Sequence, residues 1–175
     1  MIDFSQDYFA LFGLPPRYRF DPQALELAYH TLQRAVHPDR HASGDDAERR
    51  LALQSSARVN EAYQALKDPV VRAQYLLSLR GIDALAETDT ALPMEFLQRE
   101  LERREAMAEA QARGDPGGLE ALLQQVRADA AALQAALADR LDGETWNAAR
   151  EAVRELRFLT KVAADLEAAI AEGEG

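Results

Sequence analysis

The chain has 175 residues, 47% of them hydrophobic and 29% charged, a balance that excludes a disordered polypeptide. It contains no cysteine, which removes disulfides, zinc–thiolate sites, thiol catalysis and cysteine ligation of an iron–sulfur cluster by the chain itself. A net charge of -10 argues against general nucleic-acid binding, which draws its affinity from neutralised phosphates.

The charge is unevenly placed. Residues 1–80 hold ten Lys/Arg and ten Asp/Glu, so residues 81–175 carry the whole excess, ten basic side chains against twenty acidic. Two segments with different electrostatics suggest two surfaces with different partners. The start, MIDFSQDYFALFGLPP, lacks the basic and apolar regions of a secretory signal, and no apolar run approaches the roughly 20 residues that span a bilayer. A cytoplasmic location is expected.

Helical signals dominate and strand alternation is nearly absent, so the expected class is all-α. Tyr8, Phe9, Leu11 and Phe12 form a short apolar turn that stops at Gly13 and Pro15-Pro16. Asp21-Pro22 reads as an N-cap followed by proline at the first helical position. Leu25, Tyr29, Leu32 and Val36 then recur at three- and four-residue spacing, the stripe of an amphipathic helix. Pro38 disfavours helical geometry at His37 and ends that helix. A second long helix runs from Asp45 or Asp46 to about Lys67, with Leu51, Ser55, Val59, Ala62 and Leu66 as its buried stripe. Asp68-Pro69 restarts a helix through Val71, Tyr75, Leu76 and Leu79, and Gly81 suits its C-terminal cap. This first domain is placed at 1–81 and a polar linker at 82–93.

Pro93 opens a second domain over 94–175. Helices at about 94–113, 119–141 and 144–171 are separated by the breakers GDPGG and DG, and such short connections favour an antiparallel three-helix bundle. Trp146, Ala149, Val153, Leu156, Leu159, Ala163, Leu166 and Ile170 form the seam of the last helix.

The chemistry concentrates where the first long helix ends. Opposite its apolar stripe stand His30, Arg34 and His37, with Arg17, Arg19 and Arg40 near in sequence. Pro38 fixes its own φ and sets the direction of the Asp39 carboxylate. A basic face that ends in a pre-set carboxylate suits docking on a protein surface at low ordering cost. His37-Pro38-Asp39 taken alone is no more than a helix stop. Its place between two amphipathic helices, upstream of VNEAYQALKDPVVRAQY, gives it meaning.

In that context residues 7–81 resemble a J-domain, the module with which co-chaperones stimulate the ATPase of DnaK-type chaperones. His37, Pro38 and Asp39 match its signature tripeptide. Asn60, Glu61, Ala62, Tyr63, Leu66, Asp68, Pro69 and Arg72 match its following helix. The first long helix carries fewer lysines and arginines than many J-domains. DYFALFGLPPRY, HPDRHASG, YLLSLRG and LRFLTKV extend the likeness over the whole chain to the HscB family of iron–sulfur co-chaperones, in its bacterial form.

That resemblance implies a two-ended binding protein. The J-domain would engage a DnaK-like ATPase, HscA, through His37, Pro38 and Asp39, with Arg34, Arg40 and His30 in support. The C-terminal bundle would hold IscU, the scaffold on which clusters are built, through Leu97, Gln98, Leu101, Glu102, Glu105, Glu109 and Phe158. Gln98 departs from the methionine that relatives can carry there. The chain would itself hydrolyse nothing, need no cofactor and act as a monomer. Spacing adds independent weight to the second surface. Leu97 and Leu101 fall beside the arc of Phe96 and Met107, and Phe158 lies about 100° from Leu159, off the Trp146–Ile170 seam. An apolar patch rimmed by glutamates is the composition of a docking surface. The alternative is a wide stripe buried entirely within the bundle.

Two other functions fit less. A metal-dependent enzyme would need His30, His37 and His41, yet His30 and His37 are roughly 10 Å apart along one helix. HExxH, P-loop, GxSxG and dinucleotide motifs are all absent. A J-domain co-chaperone delivering a different client keeps the same first domain and differs only in what the acidic bundle binds.

Overall fold

A computed structural model describes residues 2–37, 45–86 and 91–173, and among them it shows seven α-helices and no strand. They are α1 (Tyr8–Leu11), α2 (Pro22–Val36), α3 (Asp46–Lys67), α4 (Pro69–Ser78), α5 (Met94–Arg113), α6 (Pro116–Asp142) and α7 (Trp146–Gly173). The chain divides into two compact units, Met1–Leu76 and Leu77–Gly175. No described helix is long and apolar enough to cross a membrane.

The first unit is built on the antiparallel α2–α3 hairpin. Asp21 caps α2 by accepting from Gln23 N, and Pro22 occupies the first turn, where its missing N–H costs nothing. Asp45 caps α3 through Ala47 N and Glu48 N. Phe9, Val59, Ala62, Leu66 and Ala73 are fully buried and form the centre. Around them Tyr8 stacks on Tyr75 at 4.2 Å, and the Tyr75 hydroxyl accepts from Tyr8 N at 2.9 Å. α4 runs past Leu76, the last residue of this unit, and ends in a turn where Gly81 takes φ 73° and Ile82 N reaches back to Leu77 O, the conformation expected of a glycine cap.

The second unit is the three-helix bundle. α6 and α7 share the longest interface, and α5 lies against their far ends. Phe96, Leu119, Leu123, Val126, Leu159 and Leu166 make one buried cluster across the three helices. The segment read as a linker supplies part of this unit. Ala84 is buried, and its carbonyl accepts from Arg154 Nε at 2.9 Å while the Ala91 carbonyl accepts from Arg154 Nη1.

The start of α6 departs furthest from the sequence expectation. GDPGG breaks the chain for fewer residues than its glycines suggest, because α6 starts at Pro116 rather than near residue 119. Gly114 closes α5 in the left-handed conformation with φ 60°. Asp115 then caps α6 through Gly118 N, with Pro116 at the first position. This is the Asp-Pro signature of α2 repeated, and Gly117 and Gly118 are helical.

Candidate functional site

The exposed face of α2 carries His30, Arg34 and His37, opposite the buried Leu25 and Val36. His30 lies against the Tyr29 ring, and its Nε2 is 3.9 Å from Glu26 Oε1. Arg34 Nε donates to the His30 carbonyl at 3.2 Å. At His37 the backbone turns to φ -60°, ψ 130°, the extended geometry that a following proline imposes. Pro38, Asp39, Arg40 and His41 lie outside the described residues. Leu27, three residues before His30, is 69% exposed on the same arc. The sequence reading passed over it, although its departure from the 25-29-32-36 stripe was the available signal. Glu26 beside His30 also makes this face less basic than its arginine and histidines alone suggest.

Several of the residues matching the J-domain pattern in α3 and α4 are structural: Asn60 and Tyr63 hold α2, while Asp68 and Arg72 fix α4. The Tyr29 hydroxyl donates to Asn60 Oδ1 and accepts from Gln33 Nε2, both at 3.0 Å, while its ring stacks on Tyr63 at 4.0 Å. Asp68 Oδ1 accepts from Val70 N and Val71 N and so starts α4. Arg72 donates from Nη1 to Leu66 O at 2.9 Å and lies over the Tyr18 and Phe20 rings at 4.6 and 4.7 Å. These contacts tie α2, α3 and α4 together in the manner of a splint.

The second surface lies on α5 and α7. Phe96 is buried, but Leu97 is 40%, Leu101 59% and Phe158 37% exposed. Phe158 meets Phe96 edge to face, with centroids 5.5 Å apart. Gln98, Glu102, Glu105 and Glu109 are all exposed on the neighbouring arc of α5, and Glu109 pairs with Arg113 at 2.7 Å. Met94, one turn before Leu97, is 77% exposed and was not singled out from the sequence, where it reads as the plain start of a helix. Apolar side chains of this size at the surface, grouped and edged by carboxylates, are the arrangement of a protein-docking patch.

One glutamate of α5 is spent on structure. Glu100 is buried and bonds to Arg103, which also reaches Asp129 of α6. On the next arc Glu155 of α7 is half-buried, and burial pushes its carboxyl above the usual range against the pull of Arg140 and Arg99. Among the described residues no three His, Asp or Glu side chains converge as metal ligands.

Two family models match the chain, DnaJ domain over residues 7–75 and HSCB C-terminal oligomerisation domain over 92–167. A Co-chaperone protein HscB homolog from Ralstonia nicotianae is 48% identical over 95% of each chain. Among solved structures, the chaperone HscB from Vibrio cholerae superposes with a TM-score of 0.81 at 36% identity, covering 93% of this chain and 96% of that one. Human co-chaperone protein HscB gives a TM-score of 0.87 at 27% identity, covering 94% and 82%.

Proposed function

The chain belongs to the HscB family of J-domain co-chaperones, and from that premise we propose that it serves iron–sulfur cluster assembly in the cytoplasm. In this reading the C-terminal bundle holds the cluster scaffold IscU. The His37-Pro38-Asp39 corner, with Arg34, Arg40 and His30 beside it, stimulates ATP hydrolysis by the DnaK-like chaperone HscA. Delivering the scaffold while triggering hydrolysis traps it on the chaperone, which favours cluster transfer to acceptors. The chain contributes binding energy and orientation, and the bond broken is the chaperone's ATP.

The observation that carries the scaffold half is the grouped exposure of Leu97, Leu101 and Phe158 on a bundle whose core is already closed by Phe96, Leu159 and Leu166. A fold does not need those three side chains outside, whereas a partner does. Glu102, Glu105 and Glu109 add steering toward a basic partner surface.

Calorimetric titration with IscU tests the reading, comparing the wild type with Leu97→Ala/Phe158→Ala. Truncating two central apolar side chains of a docking patch is expected to weaken binding by about thirtyfold or more, with the helical signal unchanged. Wild-type protein that ignores IscU yet stimulates the ATPase would point to a J-domain co-chaperone for a different client. For the chaperone half, Asp39→Asn is expected to abolish ATPase stimulation and leave scaffold binding intact. Full stimulation by that variant would remove the assignment of the corner.

A further inference from the structure

The exposed half of α5 is laid out as three parallel ribbons. At about 100° per residue, Met94, Leu97 and Leu101 share an arc of about 60°. Glu102, Glu105 and Glu109 fill the adjoining arc on the side away from α7. On the opposite side, toward α7, the next exposed residue is Arg104. Beyond it a groove of about 430 Å³ opens between α5 and α7, with Arg104, Lys161, Asp165 and Phe158 on its walls and Glu100 and Arg103 at its base.

The charges in this groove are unusual for the segment that contains it. Residues 81–175 have ten basic and twenty acidic side chains, but the groove holds three cations against two carboxylates. Arg103 is already bonded to Glu100 and Asp129. Arg104 and Lys161 are exposed and make no ion pair among the described residues. Once Arg103 is set against Glu100 and Asp129, two cations, Arg104 and Lys161, face the one carboxylate Asp165 among the exposed groups of the groove. Its rim is thus net positive on one edge of the apolar ribbon, while glutamates border the other. The patch has an electrical direction as well as an apolar centre.

Resting on the scaffold-binding reading above, we propose that Arg104 and Lys161 form a carboxylate-receiving edge, so that the scaffold docks through a segment with an apolar side chain against Phe158 and an acidic side chain in the groove. The glutamate edge would meet basic groups on the segment's other side. A partner turned end for end would place like charges together on both edges, so the two edges fix the docking direction as well as adding attraction. The cations reach the partner from two different helices, which also ties recognition to a correctly assembled α5–α7 pair.

The test is calorimetric titration of the full chain with the scaffold at low and at high salt. The wild type is compared with Arg104→Glu/Lys161→Glu and with the milder Arg104→Gln/Lys161→Gln. The reversed pair is expected to bind at least about tenfold more weakly at low salt, the neutral pair less so, and the gap should narrow as salt screens the edge. Both positions are exposed, so helical content and melting should hold. If the reversed pair misfolds, the neutral pair decides. Unchanged or tighter binding by the variants, with the wild type still binding, overturns the carboxylate edge and leaves the scaffold reading standing. Wild-type protein that does not bind overturns both. If light scattering shows that the wild type self-associates through this edge, and only that association is lost in the variants, the occupant is a second copy and the proposal fails.

Discussion

Phe158 of α7 packs edge to face on Phe96 of α5 at a centroid distance of 5.5 Å, yet Phe96 is 3% exposed and Phe158 37%. One ring belongs to the core and the other is displayed by it. Phe96→Ala is expected to cost about 3–5 kcal/mol of stability, as for other buried aromatics. Phe158→Ala is expected to cost about 1 kcal/mol, mainly the lost ring pair, while carrying most of its effect in partner binding. Denaturant melts of the two variants check this, and equal destabilisation would return Phe158 to the core.

The start of α6 separates two adjacent glycines. A Cβ at Gly118 would lie 2.6 Å from Asp115 Oδ2, the carboxylate that caps the helix, whereas one at Gly117 would meet Asp115 Oδ1 at an ordinary 3.6 Å. Gly117→Ala should therefore gain about 0.5–1 kcal/mol from reduced backbone entropy, seen as a rise of a few degrees in Tm. Gly118→Ala should gain nothing, because the lost cap offsets the same term. Matching shifts for both variants would show that the cap is dispensable.

How much of this was legible beforehand varied with the kind of interaction. Helix boundaries written in side chains were readable. Asp46–Lys67 and the stop at His37 follow from an N-cap, a 3.6-residue stripe and a proline. So was the displacement of Phe158 from its seam, since helical spacing fixes angles. Contacts to backbone carbonyls were not readable, because an acceptor carbonyl has no residue type. That is why 82–93 reads as a linker although Ala84 and Ala91 are tied to Arg154. Glu100 was hidden for a related reason. It has the same residue type as Glu102 and Glu105, and although helical spacing puts it on the arc of Phe96 and Met107, its bond to Arg103, which also reaches Asp129 across the interface, is not written in the spacing.

Arg154 is buried on α7, and its two carbonyl bonds hold residues 84 and 91 against the helix. Arg154→Ala would leave a buried carbonyl at Ala84 without its donor, with an expected loss of about 2–4 kcal/mol. Arg154→Lys should recover only part of this, since an ammonium lacks the planar fork that reaches both acceptors. Hydrogen exchange should quicken over 77–86 in both variants ahead of the rest of the bundle. Uniform quickening across α6 and α7 would instead make Arg154 a general core residue.

Glu155 gives the second unit a dependence on pH whose sign can be worked out. Burial raises its carboxyl above the ordinary value, outweighing Arg140 and Arg99, while Glu151 pushes it the same way as burial. The folded state therefore holds this proton more tightly than the unfolded state. The group's contribution is fully favourable below the unfolded pKa and is lost as pH rises through the folded one. At about pH 7 the ionised carboxylate works against the fold, so Glu155→Gln should stabilise the unit there. The side chain is half-exposed, and solvent screening limits the gain to about 0.5 kcal/mol or less. At about pH 3 the wild-type carboxyl is protonated in both states, and the advantage of glutamine should vanish. Denaturant midpoints for the two proteins at both pH values measure the difference, in which the titration of the other carboxylates cancels. An advantage that persists undiminished in acid would mean that glutamine acts through packing, and that burial of the charge is not what Glu155 costs the bundle.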